Sequence, residues 1–223
     1  MIRTPLSDRL LPDYTHGEEV FNFVSHIVGG GVGIIALVLT VIKSALFGDA
    51  WDVVGSAIYG SSLISLYTMS SVYHALTAVT AKKVLQVLDH CTIYVLIAGT
   101  YTPILFSAIR PVSAVWCWVI FGVEWGLTAL AVTLTAIDLK KYSVLSMICY
   151  IGMGWCIIIA APVLFRAMSL SGFWWLLAGG IAYTVGAVFY GFGKKCRYIH
   201  SVFHIFVVIG SVLQFICIFF YVI

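Results

Sequence analysis

Two histidines four residues apart, His200 and His204, lie one turn above each other on the same face of a helix. That spacing lets two imidazoles bind one metal ion. The pair alone fits equally well two histidines meeting lipid headgroups at a helix end. His74 adds a third imidazole, with Ser70 one turn earlier on the same face, and Asp89 follows across a short connection. Three imidazoles with one position left open form the pattern of a catalytic zinc site whose fourth ligand is water. An ionised aspartate near hydrocarbon needs a partner. A metal-bound water or a histidine N–H would serve, making Asp89 an outer group or base. The expected site is therefore His74, His200 and His204 as zinc ligands, with Asp89 and Ser70 in catalytic roles.

Whether these side chains meet depends on the elements that carry them. Of 223 residues, 62% are hydrophobic and 9% charged, and the mean hydropathy is +1.07. A soluble domain keeps about a quarter of its residues charged, so the outer surface of this chain must face lipid. A net charge of +3, scattered along the chain, gives no nucleic-acid surface. Cys91, Cys117, Cys149, Cys156, Cys196 and Cys217 lie in or beside apolar runs without CxxC pairing, and read as small apolar residues.

A helix of roughly 20 apolar residues crosses a bilayer. Seven such runs are expected, at 20–45, 52–76, 88–109, 113–136, 143–165, 172–193 and 200–223, joined by short polar stretches at 47–50, 80–83 and 138–141. The fold class is thus all-α: an integral membrane bundle of seven transmembrane helices, with residues 1–19 as a short polar segment before it. That segment lacks the apolar run of a cleavable signal, so the first helix is expected to direct its own insertion. Arg3, Arg9, Lys82, Lys83, Lys140, Lys141, Lys194, Lys195 and Arg197 fall on one side, against only Lys43, Arg110 and Arg166 on the other. This asymmetry puts the N-terminus in the cytoplasm and the C-terminus outside. All six histidines then sit at or near the cytoplasmic end.

Other polar residues carry weaker signals. Glu19, Asn22 and His26 share a face at the start of helix 1, the pattern of a helix-start network with His26 in a supporting role. His90 adjoins Asp89 but points about 100° away around the helix, toward the interface. Glu124 lies near the middle of an apolar run, which makes it a functional candidate without a nameable partner. Lys43 is placed to snorkel outward. Pro103, after Thr100 and Thr102, is expected to kink helix 3, and Gly29/Gly33, Gly122/Gly126 and Gly179–Gly180 to allow close helix contacts.

The stretches EEVFNFVSHIVGGGVG (18–33), SSVYHAL (70–76), LDHCTIYVLIAGTYTPIL (88–105), AGGIAYTVGAVFY (178–190) and HSVFHIFVVIGSVLQF (200–215) resemble the bacterial hemolysin III proteins, within the adiponectin and progestin receptor superfamily. The resemblance implies zinc held by His74, His200 and His204, with Ser70 and Asp89 near the zinc-bound water, and an N-terminus inside. The long soluble N-terminal region of the receptor branch is not seen here, which weakens a hormone-receptor reading. It leaves a zinc-dependent hydrolase of a ceramide-like lipid amide or ester, acting in membrane lipid homeostasis. A non-enzymatic zinc-stabilised membrane sensor is the alternative. A pore-forming cytolysin needs a polar path through the whole membrane, and the outer half offers little beyond hydroxyls. Two histidines such as His74 and His204 could also clasp a haem. Membrane lipids are the expected partners.

Overall fold

The computed structural model describes residues 4–192 and 196–223. Arg3, Lys194 and Lys195, part of the charge asymmetry, lie outside the described residues. A one-turn 3-10 helix, Leu6–Asp8, precedes α1 (His16–Phe47), α2 (Ala50–Ala75) and α3 (Val79–Pro103). The third helix continues through a π turn, Ile104–Ile109, to Val112. After it come α4 (Ala114–Ile137), α5 (Ser143–Gly154), α6 (Ala161–Ala167), α7 (Leu170–Phe192) and α8 (Ile199–Cys217), the last extended by a π turn, Ile218–Val222. The described residues contain no strand.

Six stretches are long and apolar enough to cross a membrane: His16–Phe47, Val79–Val112, Ala114–Ile137, Ser143–Ala167, Leu170–Gly191 and Ile199–Val222. The helix α2 has the length but is not among them, being diluted by Ser56, Ser61, Ser62, Ser65, Ser70 and Ser71. Ser56, Ser62, Ser70 and Ser71 are buried where α2 is wedged between α1 and α3, whereas Ser61 and Ser65 are exposed, the Ser65 hydroxyl donating to Ser61 O (2.8 Å). The Val79–Val112 stretch is 72% enclosed, against 22–33% for the other spans, so α3 runs through the middle of the bundle. Pairs α7–α8 and α1–α8 close the ring that brings the chain's two ends together.

Local chemistry sets the helix ends. Thr15 and Glu18 form a reciprocal capping box at α1, and Asp49 and Asp52 another at α2. Residues 80–83, read from sequence as a connection, belong instead to the first turns of α3, which begins at Val79 and whose Lys82 N–H already bonds back to Ala78 O (2.9 Å). Asp89 therefore lies well inside α3 rather than at its start. Around Pro103 the hydroxyls of Thr100 and Thr102 each donate to the carbonyl four residues back, at 2.8 Å, and the helix widens into the π turn.

The run expected at 143–165 is not one helix. It breaks after Gly154 into a 3-10 segment, Cys156–Ala160, before α6. Pro162 has no N–H to give the carbonyl of residue 158, and Tyr101 relieves the break from α3. Its hydroxyl donates to Gly154 O (3.0 Å) and accepts from Ile157 N–H (3.1 Å).

Gly29 and Gly33 do admit a neighbour: a Cβ at Gly29 would overlap the Tyr67 ring, and one at Gly33 would lie 3.2 Å from Leu63 Cβ. Gly122 and Gly126 face open space and mediate no contact among the described residues. The Lys43 ammonium donates to Phe219 O (2.5 Å) and lies over the Phe219 ring. All six cysteines are free thiols.

Candidate metal centre

Four contacts bring α1, α2, α3 and α8 together at one end of the bundle. Glu18, in the first turn of α1, accepts the Tyr198 N–H (2.7 Å) just before α8. Tyr198 holds a left-handed backbone, φ 59°, which turns the chain into that helix. Lys82 of α3 donates to Leu76 O (3.0 Å) beyond the end of α2, and its ammonium lies 2.7 Å from Glu19 Oε1. Glu19 Oε2 in turn lies 2.6 Å from His74 Nδ1. One carboxylate thus links α1, α2 and α3.

On this frame His74, His200 and His204, all buried, each offer a ring nitrogen, and the three nitrogens lie within 4.8 Å of one another. His200 Nε2 and His204 Nε2 are 3.1 Å apart. Two nitrogens bound to one tetrahedral zinc at about 2.0–2.1 Å stand roughly 3.3 Å apart, so the pair already has a shared-ion spacing. With Nδ1 taken by Glu19, His74 Nε2 is left buried without a partner. An orphaned acceptor costs stability unless something binds it, and a cation among three neutral imidazoles would do so. The donor set fits zinc. Among the described residues no carboxylate joins this group of ligand atoms.

Haem does not fit. His74 and His204 meet edge to face with ring centroids 4.9 Å apart, which leaves no room for a porphyrin between them.

The two residues expected to work beside the ligands line the neighbouring cavity. Asp89 keeps a small part of its side chain exposed to that space, with the Ser70 hydroxyl beside its carboxyl. His90 lies beside them. Its Nδ1 meets Gln86 O (2.8 Å), its Nε2 the Tyr190 hydroxyl (3.0 Å), and Asp89 Oδ2 is 3.8 Å away. It is therefore a cavity residue rather than an interfacial one. Its helix is enclosed on most sides, so a 100° rotation still points inward. His16 alone among the histidines is exposed. Glu124 is apart from the site, fully buried against Cys156, with both carboxyl oxygens unpartnered.

The cavity beside the histidines measures about 140 Å³ and has a mostly apolar lining. A second cavity of about 150 Å³ adjoins it and shares Thr100, Tyr101, Gly154, Trp155, Gly180 and Gln214 with it. From His204 to Gln214 is ten residues of α8, about 15 Å of helix axis. Together the two spaces form an apolar slot running from the polar cluster into the bundle.

Two groups escaped the sequence reading. Glu19 shared a face with Asn22 and His26, which marked it as polar, but its partner on α2 was invisible. Tyr14 lies flat against His200, with ring centroids 5.0 Å apart and planes 16° apart, and tilts over His74. It precedes every apolar run, where nothing local signals a contact. Burial pushes its hydroxyl well above the usual tyrosine range, with Tyr190, Glu19 and Asp89 adding to the effect.

Comparison with known proteins identifies the family of the chain. The family described as Haemolysin-III related matches residues 14–215. The chain is similar to "Hemolysin-3 homolog" of Bacillus subtilis, 38% identical over 93% of this chain and 96% of the relative. It is likewise similar to "Hemolysin-3" of Bacillus cereus, 37% identical over 92% of each. More distantly it resembles the human "Monocyte to macrophage differentiation factor", 26% identical over 96% of this chain and 87% of that protein.

Proposed function

The chain belongs to the haemolysin-III related family and is a multi-pass protein of the bacterial cell membrane; from that premise we propose that it is a zinc-dependent intramembrane hydrolase of a ceramide-like lipid amide or ester. The observation that carries the reading is the buried trio of imidazole nitrogens within 4.8 Å, beside Asp89 and Ser70, at the head of an apolar slot.

His74, His200 and His204 would hold the ion. Zinc in a three-imidazole site supplies Lewis acidity, lowering the pKa of a coordinated water towards about 7 and polarising a carbonyl. Asp89 would accept the proton of the attacking water, and Ser70 would orient that water or the substrate. Glu19 keeps the His74 ring turned so that Nε2 faces inward. The apolar slot takes the acyl chain and excludes bulk water from the reacting carbonyl.

In this reading α2 is the seventh membrane helix, most of its hydroxyls shielded by its neighbours and that of Ser65 bonded within the helix, and the histidine end faces the cytoplasm. Arg9, Lys82, Lys83, Lys140, Lys141 and Arg197 support that orientation. The test is turnover of ceramide-like lipids by the reconstituted protein and by His204→Ala. Activity in the parent and loss in the variant is the expected result, and equal turnover by both would sink the proposal.

A zinc-stabilised, non-enzymatic membrane regulator is the competing reading. The way Glu19 ties three helices to one ligand favours it. It predicts full zinc occupancy with no turnover of any lipid offered.

A further inference from the structure

His26 is the buried titratable group that the proposed chemistry leaves unused. It is 3% exposed, and neither ring nitrogen has a partner. Its ring lies parallel to His204, with centroids 3.7 Å and planes 17° apart, and takes the edge of Tyr67 at 5.1 Å. Tyr67 can reach it because Gly29, one turn along α1, has no side chain in the way. The Tyr67 hydroxyl is meanwhile held by Ser211 Oγ at 2.7 Å. The imidazole is thus clamped on its face and against an aromatic edge, with its polar atoms left free.

A position needed only for packing would be filled at lower cost by Phe or Leu, since a buried imidazole N–H without an acceptor loses its hydration for nothing. The same side chain lines the cavity that Asp89, Ser70, His200 and His204 also line. Both ring nitrogens are closed off from the open space, behind the part of the ring that borders it; a buried donor without a protein acceptor, stacked on a metal ligand beside a cavity, points to an acceptor brought by whatever enters.

We propose that His26 is a substrate-binding residue whose ring N–H donates to the carbonyl oxygen of the bound amide or ester. The assignment rests on the hydrolase reading. During hydrolysis a water oxygen forms the new bond to the carbonyl carbon while its proton passes to Asp89. The bond to the nitrogen or oxygen of the leaving group then breaks with its electron pair, and the leaving group takes that proton. His26 neither gains nor loses a proton. It holds the carbonyl oxygen as negative charge develops there, a role in which one donor typically contributes about 10²–10³-fold to turnover.

The test uses the full chain loaded with cobalt(II) in place of zinc and titrated with acetohydroxamate, a small water-soluble carbonyl ligand, followed by the visible absorption of the metal. His26→Phe keeps both ring contacts and deletes the N–H; His26→Gln restores a donor. The expected result is one cobalt per chain in all three proteins, acetohydroxamate binding weakened about tenfold in His26→Phe, consistent with one hydrogen bond, and binding largely recovered in His26→Gln. Unchanged binding by His26→Phe would make the residue a packing ring and overturn the assignment. Loss of cobalt from His26→Phe would overturn it too, by making His26 part of the metal's own support. If the parent protein hydrolyses no lipid, the hydrolase reading falls by itself, and the titration still decides whether His26 faces the ligand.

Discussion

Glu19 Oε2 lies 2.6 Å from His74 Nδ1, across the seam between the first two helices, and this contact decides which nitrogen of His74 faces the other imidazoles. A carboxylate behind a ligating histidine fixes its tautomer and raises its basicity, and removing such a partner typically costs about 10–100-fold in metal affinity. Glu19→Ala is therefore expected to weaken zinc binding by that order, measured by competition with a chromophoric chelator, while the chain stays folded. Affinity equal to the parent would show that the contact orients nothing.

The three ligands should act as a unit. His74→Ala, His200→Ala and His204→Ala are each expected to take zinc from near one per chain to well below it, measured by elemental analysis of purified protein. Melting temperature should fall with them, since an ion at 100 times its Kd stabilises the folded state by about 2.7 kcal/mol. Retention of the ion by any single variant would remove that histidine from the site.

Tyr14 roofs the aqueous side of the cluster through its flat contact with His200. Tyr14→Ala is expected to speed zinc loss to a membrane-impermeant chelator by about tenfold or more, as loss of a packed ring opens a path for water. Tyr14→Phe should leave the rate near that of the parent. If the two variants behave alike, the ring is not the barrier.

The segment carrying Tyr14 is clasped at its far end, where Asp138 Oδ2 accepts the Thr4 hydroxyl (2.6 Å) and the Thr4 N–H (3.1 Å). The Thr4 hydroxyl and the Lys141 N–H hold the Asp138 carboxyl down at about 2, below the usual 3.8. A lowered value means the charged form is favoured in the fold, so the clasp is fully present above the ordinary aspartate range and is lost as pH falls through about 2. Amide protection at residues 4–9, corrected for intrinsic exchange, should drop across that window. Asp138→Asn should show low protection at every pH, and a parent profile that is flat from pH 5 to 2 would refute the clasp.

Glycine substitutions should separate packed from lipid-facing helix surfaces. Gly29→Ala sets a methyl against the Tyr67 ring, whereas nothing lies within 4 Å of a Cβ at Gly122. Overpacking of this kind costs about 1–3 kcal/mol. Thermal unfolding in detergent should show a clear loss for Gly29→Ala and almost none for Gly122→Ala; equal behaviour would mean α1 and α2 are not in close contact.

Composition alone placed this chain in lipid, because no arrangement of 9% charged residues can cover a globule in water. The i, i+4 pair His200 and His204, and Ser70 below His74, were legible because helical geometry fixes such neighbours whatever surrounds them. His74 joined them by its place at the end of the second apolar run, and the resemblance to hemolysin III implied the same three ligands. What the sequence could not tell is which faces meet. Helices apolar all round have no polar side to mark the outside, so periodicity is silent about packing. Glu19 reaches His74 over 55 positions, and Tyr14 covers His200 over a still longer span. The break after Gly154 is held open by Tyr101, and His26 joins the lining of a cavity built largely by other helices. Each of those contacts joins residues remote in the chain, and only the tertiary packing of the bundle could set their distances.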